Sequence, residues 1–141
     1  MKYIMTDKPK EKDINSIIEK LIEYNLSHIE LKEVKPLVVF VNDENENQIG
    51  GISAETHGNW LEISLLWVDE KLRGQRIGSK LLKDVEEEAI KRGCKYSFLD
   101  TFSFQARDFY IKLGYKEVFT LEKYPLTSKR HYFVKQLIEN K

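Results

Sequence analysis

The stretch from Leu61 to Gly93, LEISLLWVDEKLRGQRIGSKLLKDVEEEAIKRG, joins two patterns of different period. Its first part alternates apolar and polar residues as a β-strand does, and its last part repeats apolar residues at helical spacing. Gly74 and Gly78 punctuate the turn between them, and Gly93 supplies a stop for the helix. The stretch therefore predicts a strand, a tight turn and a long helix over residues 76–92.

The turn itself, RGQRIGS at residues 73–79, has the features of an anion cradle. The first amides of a helix lack partners within it, and the helix dipole places partial positive charge there. Gly74 and Gly78 have no Cβ and allow a ligand to approach closely. At Arg76 we expect helical φ, so that its side chain is tolerated and the guanidinium adds a contact to a bound phosphate. The spacing matches neither a P-loop nor the GxGxxG fingerprint.

The composition limits the class of protein. With 141 residues, of which 41% are apolar, the chain predicts one folded domain over residues 1–141. Lys plus Arg and Asp plus Glu number 23 each, and this zero net charge argues against nucleic acid and membrane surfaces as partners. The apolar runs are too short to cross a bilayer, and the N-terminus lacks the apolar segment of an export signal.

The cysteine and histidine residues bear on disulfides and metal sites. The single Cys94 excludes an internal disulfide and fits a reducing compartment, so we predict a cytoplasmic protein. The three histidines show no metal-ligand spacing, and we predict no metal site.

The rest of the chain predicts a mixed α/β or α+β fold. Residues 3–5 are expected to form a short edge strand, and residues 12–27 an amphipathic helix. Further strands are expected at 37–41, 48–55, 60–68, 95–101, 115–121 and 131–138, with a short helix at 104–113. Near the end of the strand at 60–68 successive residues are all apolar, so we predict that both faces of the strand are buried there.

The glycine turn at residues 73–79 and the segment at residues 104–115, taken together, resemble two motifs of the GNAT acetyltransferase superfamily. Arg73 and Gly78 match the ends of the family's glycine motif, and Arg76 replaces its first glycine. Downstream, FQARDFYIKLGY at residues 104–115 is similar to the family's second helix and following strand, and Ser103 stands where the family often has a cofactor-binding Asn. The resemblance implies a central mixed, mostly antiparallel sheet with a splayed parallel pair, flanked by helices.

The same resemblance implies acetyl-CoA as co-substrate, held between the strands at 60–68 and 95–101. The pantetheine arm would pair with backbone like an added strand, and the pyrophosphate would lie on the amides of the turn. The cofactor-binding residues implied in this way are Leu66, Trp67, Val68, Arg73, Gly74, Gln75, Arg76, Ile77, Gly78, Ser79 and Ser103.

Acetyl transfer to an amine requires a proton acceptor and a proton donor. The amine must be neutral, although a lysine-type ammonium has a pKa of about 10.4. The departing thiolate must be stabilised or protonated. The resemblance places Tyr110 beside the thioester sulfur as general acid, and simple packing of the helix is its alternative role. Glu62 matches the glutamate base of the histone-acetylating branch, and an ordinary solvated strand face or water-mediated deprotonation are the alternatives.

We therefore predict an N-acetyltransferase that moves an acetyl group from acetyl-CoA to a primary amine by direct attack. A catalytically silent acyl-CoA-binding or sensory module on the same fold is the alternative. A third hypothesis is a nucleotide-phosphate-binding domain, but the chain lacks the lysine and Ser or Thr of a P-loop. The acceptor, a small molecule or a protein amine, stays open, and so does a homodimer.

Overall fold

The computed structural model describes residues 1–30, 33–102 and 106–139. Ser103 and the expected beginning of the second helix at residue 104 lie outside the described residues. The chain forms two compact units, residues 1–32 and residues 33–141.

The N-terminal unit contains one helix in its described part, α1 (Glu11–Leu26), which confirms the amphipathic helix. Glu11 and Asp13 place negative charge in its first turn, where the helix dipole favours it. The expected edge strand at residues 3–5 is wrong, because these residues have no strand conformation. A strand is stable only beside a hydrogen-bonded neighbour, and the described part of this unit offers none.

The second unit contains a six-stranded sheet with the order β1-β2-β3-β4-β6-β5. Its strands are β1 (Lys35–Asn42), β2 (Gln48–His57), β3 (Trp60–Val68), β4 (Tyr96–Phe102), β5 (Lys116–Leu121) and β6 (Arg130–Gln136). A 3₁₀ turn (Glu70–Leu72) and the helices α2 (Ile77–Lys91) and α3 (Arg107–Lys112) complete it. Every neighbouring pair is antiparallel except β3–β4, which confirms the mixed, mostly antiparallel sheet. None of the described helices is long and apolar enough to cross a membrane.

The parallel pair β3–β4 is short. Its register joins Trp60 to Tyr96 and Glu62 to Phe98, and among the described residues it ends there. Beyond that point the two strands diverge, so the β4-facing edge of Ile63–Val68 has no strand neighbour in the described chain. This divergence is the splayed parallel pair that the resemblance implies.

A β-bulge lies at the beginning of the divergence. Ser53 on β2 opposes Leu65, whereas the next residue, Ala54, opposes Ile63. Ser64 is therefore an extra residue on β3. Bulges bend a strand and redirect its side chains, and they are frequent next to active sites.

The bulge changes which residues of β3 face the core. Leu61 is fully buried on the near side of the bulge, whereas Leu65 and Trp67 on the far side are 68% and 50% exposed. The half-buried residues there are Leu66 and Val68. The expectation that this end is buried on both faces is wrong, because the bulge shifts the alternation and the neighbouring strand has diverged.

The core contains a polar network that joins α2, β4 and β6 to Tyr115, the residue before β5. The Tyr115 hydroxyl, in a side chain only 3% exposed, donates to Glu86 Oε2 on α2 at 2.8 Å. It also lies 2.8 Å from Ser97 Oγ on β4, and Lys135 Nζ on β6 donates to Glu86 Oε1 at 2.9 Å. Burial, followed by the charge of Glu86, raises the pKa of Tyr115, so the phenol stays a donor.

We predict that Tyr115→Phe lowers the free energy of unfolding by about 1–3 kcal/mol, because the Glu86 carboxylate loses a buried donor. Urea denaturation monitored by fluorescence measures the change. The matched control is Tyr96→Phe, a half-buried tyrosine on the same sheet, which should stay close to the wild type. Equal stability of Tyr115→Phe and wild type would contradict a stabilising role for the network.

Candidate active site

The candidate site lies where β3 and β4 diverge, beside the turn that leads into α2. Glu62 is half-buried and is the last residue of β3 paired with β4. Leu66, Trp67 and Val68 lie further along the unpaired edge. The structure therefore brings the predicted base and the predicted pantetheine-binding strand to one gap.

The turn after β3 contains two residues with left-handed backbone. Gly74 has φ +90, with open space where a Cβ would lie. Arg76, the N-cap of α2, has φ 64 and ψ 19. The expected helical φ at Arg76 is wrong, because the chain enters α2 from the extended Arg73 and uses a left-handed residue to change direction. For a residue with a Cβ this conformation costs roughly 1–2 kcal/mol.

The beginning of α2 presents backbone donors to the same region. Lys80 donates the first helical hydrogen bond, to the Arg76 carbonyl at 3.1 Å. The amides of Ile77, Gly78 and Ser79 precede that bond and have no acceptor within the helix. Together with the exposed turn from Arg73 to Arg76, they provide backbone donors that suit an anion.

Gly78 lies where α2 approaches α3. A Cβ at this position would lie 3.4 Å from Phe109 Cζ and 3.8 Å from Val68 Cγ2. Both distances are ordinary van der Waals contacts, so the fold itself leaves room for a methyl group here. The missing Cβ therefore matters more for the close approach of a ligand than for the packing of the two helices.

Tyr110 lies on α3, and its side chain is 7% exposed. Its ring packs against Phe109, Tyr115 and Phe133, with centroids 5.1, 5.9 and 6.0 Å away. Burial, and secondarily the charge of Asp100, raise the pKa of Tyr110 to about 12. The phenol is therefore protonated throughout the neutral range and can donate a hydrogen bond. Packing and donation are compatible roles for this one side chain.

The surroundings of the Glu62 carboxylate favour its protonated form. Burial is the largest cause of its raised pKa, and the charge and hydrogen bond of Glu55, directly opposite on β2, raise the pKa further. Asp100 adds a smaller effect of the same sign. A carboxylate with a raised pKa is a stronger proton acceptor than an ordinary one.

Asp100 connects the two candidate catalytic groups, and sequence reasoning missed it. Its charge acts on both Glu62 and Tyr110, and its carboxylate accepts from Arg130 Nε at 2.7 Å. The signal was present, since Asp100 is the one acidic residue within the otherwise uncharged run YSFLDTF. Its importance depends on the divergence of the strands, which the sequence does not display.

An aromatic surface adjoins Glu62 on the same face of the sheet. The Trp60 ring lies 5.0 Å from Tyr96 and 5.5 Å from Phe98. The Trp60 and Phe98 rings border an apolar groove of about 410 Å³ that continues to Tyr132. No group of three or more metal-ligating side chains occurs within the described ranges.

Comparison with known proteins identifies the fold. Residues 35–117 match the family described as the acetyltransferase (GNAT) domain. The chain belongs to the GNAT acetyltransferase family. An Agrobacterium fabrum protein, acetyltransferase Atu2258, is 32% identical over 128 residues, covering 91% of this chain and 92% of that protein. Blasticidin-S acetyltransferase of Streptomyces morookaense is 35% identical over 109 residues, covering 74% and 80%.

A solved structure extends the similarity to three dimensions. The crystal structure of an acetyltransferase from Bacillus cereus matches with a TM-score of 0.83 and 32% identity, covering 94% of this chain and 97% of that one. Arg76 occupies the position of the first glycine in the GNAT glycine motif. Its positive φ explains why glycine suits that position. Ser103 lies outside the described residues, so its cofactor contact stays a prediction.

We predict that Arg76→Gly raises the free energy of unfolding by about 1 kcal/mol, because glycine adopts positive φ without steric cost. Gly74→Ala should lower it by a similar amount, since only φ, and no neighbouring atom, opposes the added Cβ. Thermal or urea unfolding of both variants measures the two opposite changes. A less stable Arg76→Gly would show that the arginine side chain stabilises the turn more than the backbone conformation costs.

Proposed function

We propose that the protein is an N-acetyltransferase that transfers the acetyl group of acetyl-CoA to a primary amine by direct attack. The observation that carries this proposal is the unpaired edge of β3 after Glu62, which leads directly into the donor-rich turn. Family membership supports it, because acetyl transfer is the activity for which the family and the relatives are named.

The cofactor fits this geometry by its chemistry. Pantetheine contains amide groups that can pair with an open strand edge as an added strand does, here at Leu66, Trp67 and Val68. A pyrophosphate suits the free amides at the beginning of α2 and the exposed cations beside them. The residues that would hold it are Arg73, Gly74, Gln75, Arg76, Ile77, Gly78 and Ser79.

In the proposed reaction acetyl-CoA supplies the thioester, whose carbonyl carbon bonds to the amine nitrogen while its bond to sulfur breaks. Glu62 removes a proton from the ammonium, directly or through a water molecule, which makes the nitrogen lone pair available. The nitrogen then carries one proton more than an amide and loses it to a water molecule, while the sulfur leaves as a thiolate. Tyr110 donates a hydrogen bond to this departing sulfur. Because the pKa of Tyr110 is about 12 and that of an ordinary thiol about 8.5, this hydrogen bond stabilises the thiolate more readily than it transfers the proton.

The acceptor side of the gap suits a cationic amine. Glu62, Glu55 and Asp100 supply negative charge, and the neighbouring Trp60 and Phe98 rings supply faces on which a cation is favourable. A relative named for acetylating blasticidin S supports a small-molecule acceptor over a protein amino group. A panel of amines with detection of the released CoA thiol tests this and separates the enzyme from a silent acyl-CoA-binding module.

We predict that Tyr110→Phe lowers turnover by roughly 10- to 1000-fold, because the thiolate loses its hydrogen-bond donor. The dissociation constant of CoA should stay nearly constant, since the ring and its packing remain. Thiol release at saturating acetyl-CoA and calorimetric CoA binding measure the two quantities, with the exposed Tyr3→Phe as the control. Wild-type turnover with a substrate whose chemistry is rate-limiting would remove Tyr110 from the mechanism.

We predict that Glu62→Gln lowers the rate most at low pH, and that the loss shrinks as the pH approaches the pKa of the amine. A carboxamide takes up no proton, so the variant depends on amine that is already neutral. The matched variant Glu55→Gln removes a neighbouring charge that raises the pKa of Glu62, so its acidic limb should move to lower pH. Profiles of kcat/KM against pH measure both, and an unchanged profile in Glu62→Gln would favour deprotonation by water alone.

A further inference from the structure

Helix α3 carries Tyr110 but has little intrinsic stability. It has only 6 residues, and its N-cap, Ala106, makes no side-chain capping hydrogen bond. Isolated helices of this length do not persist in water, because few hydrogen bonds compensate for the cost of nucleation. Contacts outside the helix must therefore fix the position of Tyr110.

One such contact is an ion pair between the first residue of α3 and the next strand. Arg107 on α3 donates to the Glu117 carboxylate on β5 through Nε at 3.1 Å and through Nη2 at 2.5 Å. Both bonds end on Oε2, and their charge makes them stronger than hydrogen bonds between neutral groups, although Arg107 is partly open to solvent. The pair ties the beginning of α3 to the sheet.

The second carboxylate oxygen of Glu117 is held as well. Oε1 accepts from the Thr120 hydroxyl and lies 2.6 Å from Nδ1 of His131, whose side chain is 7% exposed. Hydrogen bonds from Thr120, Arg107 and His131, in that order of effect, lower the pKa of Glu117 to about 2. The carboxylate is thus charged at neutral pH, and both of its oxygens have partners.

A second β-bulge gives Glu117 this position. Glu117 opposes Phe133 on β6, whereas Phe119 opposes Tyr132, so Val118 is an extra residue on β5. A bulge redirects the side chains that flank it. Phe133, across from Glu117, also packs against the Tyr110 ring. The carboxylate and the candidate acid are therefore supported by the same part of the sheet.

We propose that Glu117 is a positioning residue that holds α3 through Arg107 and thereby sets the Tyr110 hydroxyl at the gap. We call these two residues the Arg107–Glu117 clamp. The catalytic part of the proposal rests on the proposed function, whereas the effect on α3 does not. A small displacement of a catalytic group lowers the rate far more than it lowers binding, so the clamp should act on kcat.

The test compares Glu117→Gln and Arg107→Met with a control, Glu122→Gln, which removes an exposed ion pair to Lys129 in the connection between β5 and β6. Hydrogen exchange reports on α3 without reference to activity. The amides of Tyr110 and Leu113, bonded to Ala106 O and Tyr110 O, should exchange about 10-fold faster in the clamp variants. The amides of α2 and of the control should keep their wild-type rates.

Turnover provides the second measurement. Each clamp variant should lose about 10-fold in kcat, with the KM for acetyl-CoA changed less than about 2-fold. Arg107→Lys, which keeps the charge but not the planar fork, should retain more turnover than Arg107→Met. In a Tyr110→Phe background the clamp variants should cause little further loss, because the group that they position is already absent.

Three results would overturn the proposal. Unchanged exchange in α3 would show that the clamp does not hold the helix, whatever happens to turnover. Equal losses in the wild-type and Tyr110→Phe backgrounds would show that the clamp does not act through Tyr110. Wild-type turnover in Tyr110→Phe alone would remove Tyr110 from the proposed function and the catalytic role from the clamp, and exchange in α3 would still report the structural effect separately.

Discussion

The structure depends on one interruption of backbone hydrogen bonding. Parallel pairing between β3 and β4 ends at Glu62 and Phe98, and the bulge at Ser64 directs the remainder of β3 away from its neighbour. Alternate residues along that edge point a backbone donor and acceptor away from β2, and these groups need partners. Water can supply them, but an extended ligand with its own amides supplies them in register. The interruption therefore turns the middle of a sheet, which ordinarily binds nothing, into a place where a ligand can bind.

The candidate site combines two groups whose pKa values are raised. Glu62 lies at the last paired position of β3 and Tyr110 lies on α3, and the charge of Asp100, just beyond the paired residues of β4, acts on both. Loss of solvent is the largest cause of both raised pKa values, that of Glu62 and that of Tyr110. A raised pKa makes a carboxylate a stronger proton acceptor, and it keeps a phenol protonated so that it can donate a hydrogen bond. In the proposed reaction the two groups therefore have different tasks, since Glu62 accepts a proton and Tyr110 donates a hydrogen bond.

Sequence reasoning succeeded where local pattern decides the structure. Alternation over Trp60–Val68 gave the bounds of β3, and helical spacing with a glycine stop gave α2 within one residue at each end. The GNAT resemblance, confirmed by the family match, supplied the parallel pair, which periodicity alone does not reveal. Arg76 was misjudged because φ at a helix entry depends on the direction from which the chain arrives. The Arg107–Glu117 clamp was missed because it depends on a bulge, and an extra residue in a strand is visible only against its partner.

The most direct test of the account is hydrogen exchange of the protein with and without CoA, with ATP as the competing ligand. We predict that CoA slows exchange of the backbone amides on the open edge of β3, within residues 63–68, and in the turn at residues 73–79, while β1 is unaffected. ATP shares the phosphates and the adenine but lacks the pantetheine amides, so it should protect the turn at most and leave the edge of β3 unchanged. Equal protection of β3 by both ligands, or no protection by CoA, would contradict the assignment of the divergent strands as the cofactor site.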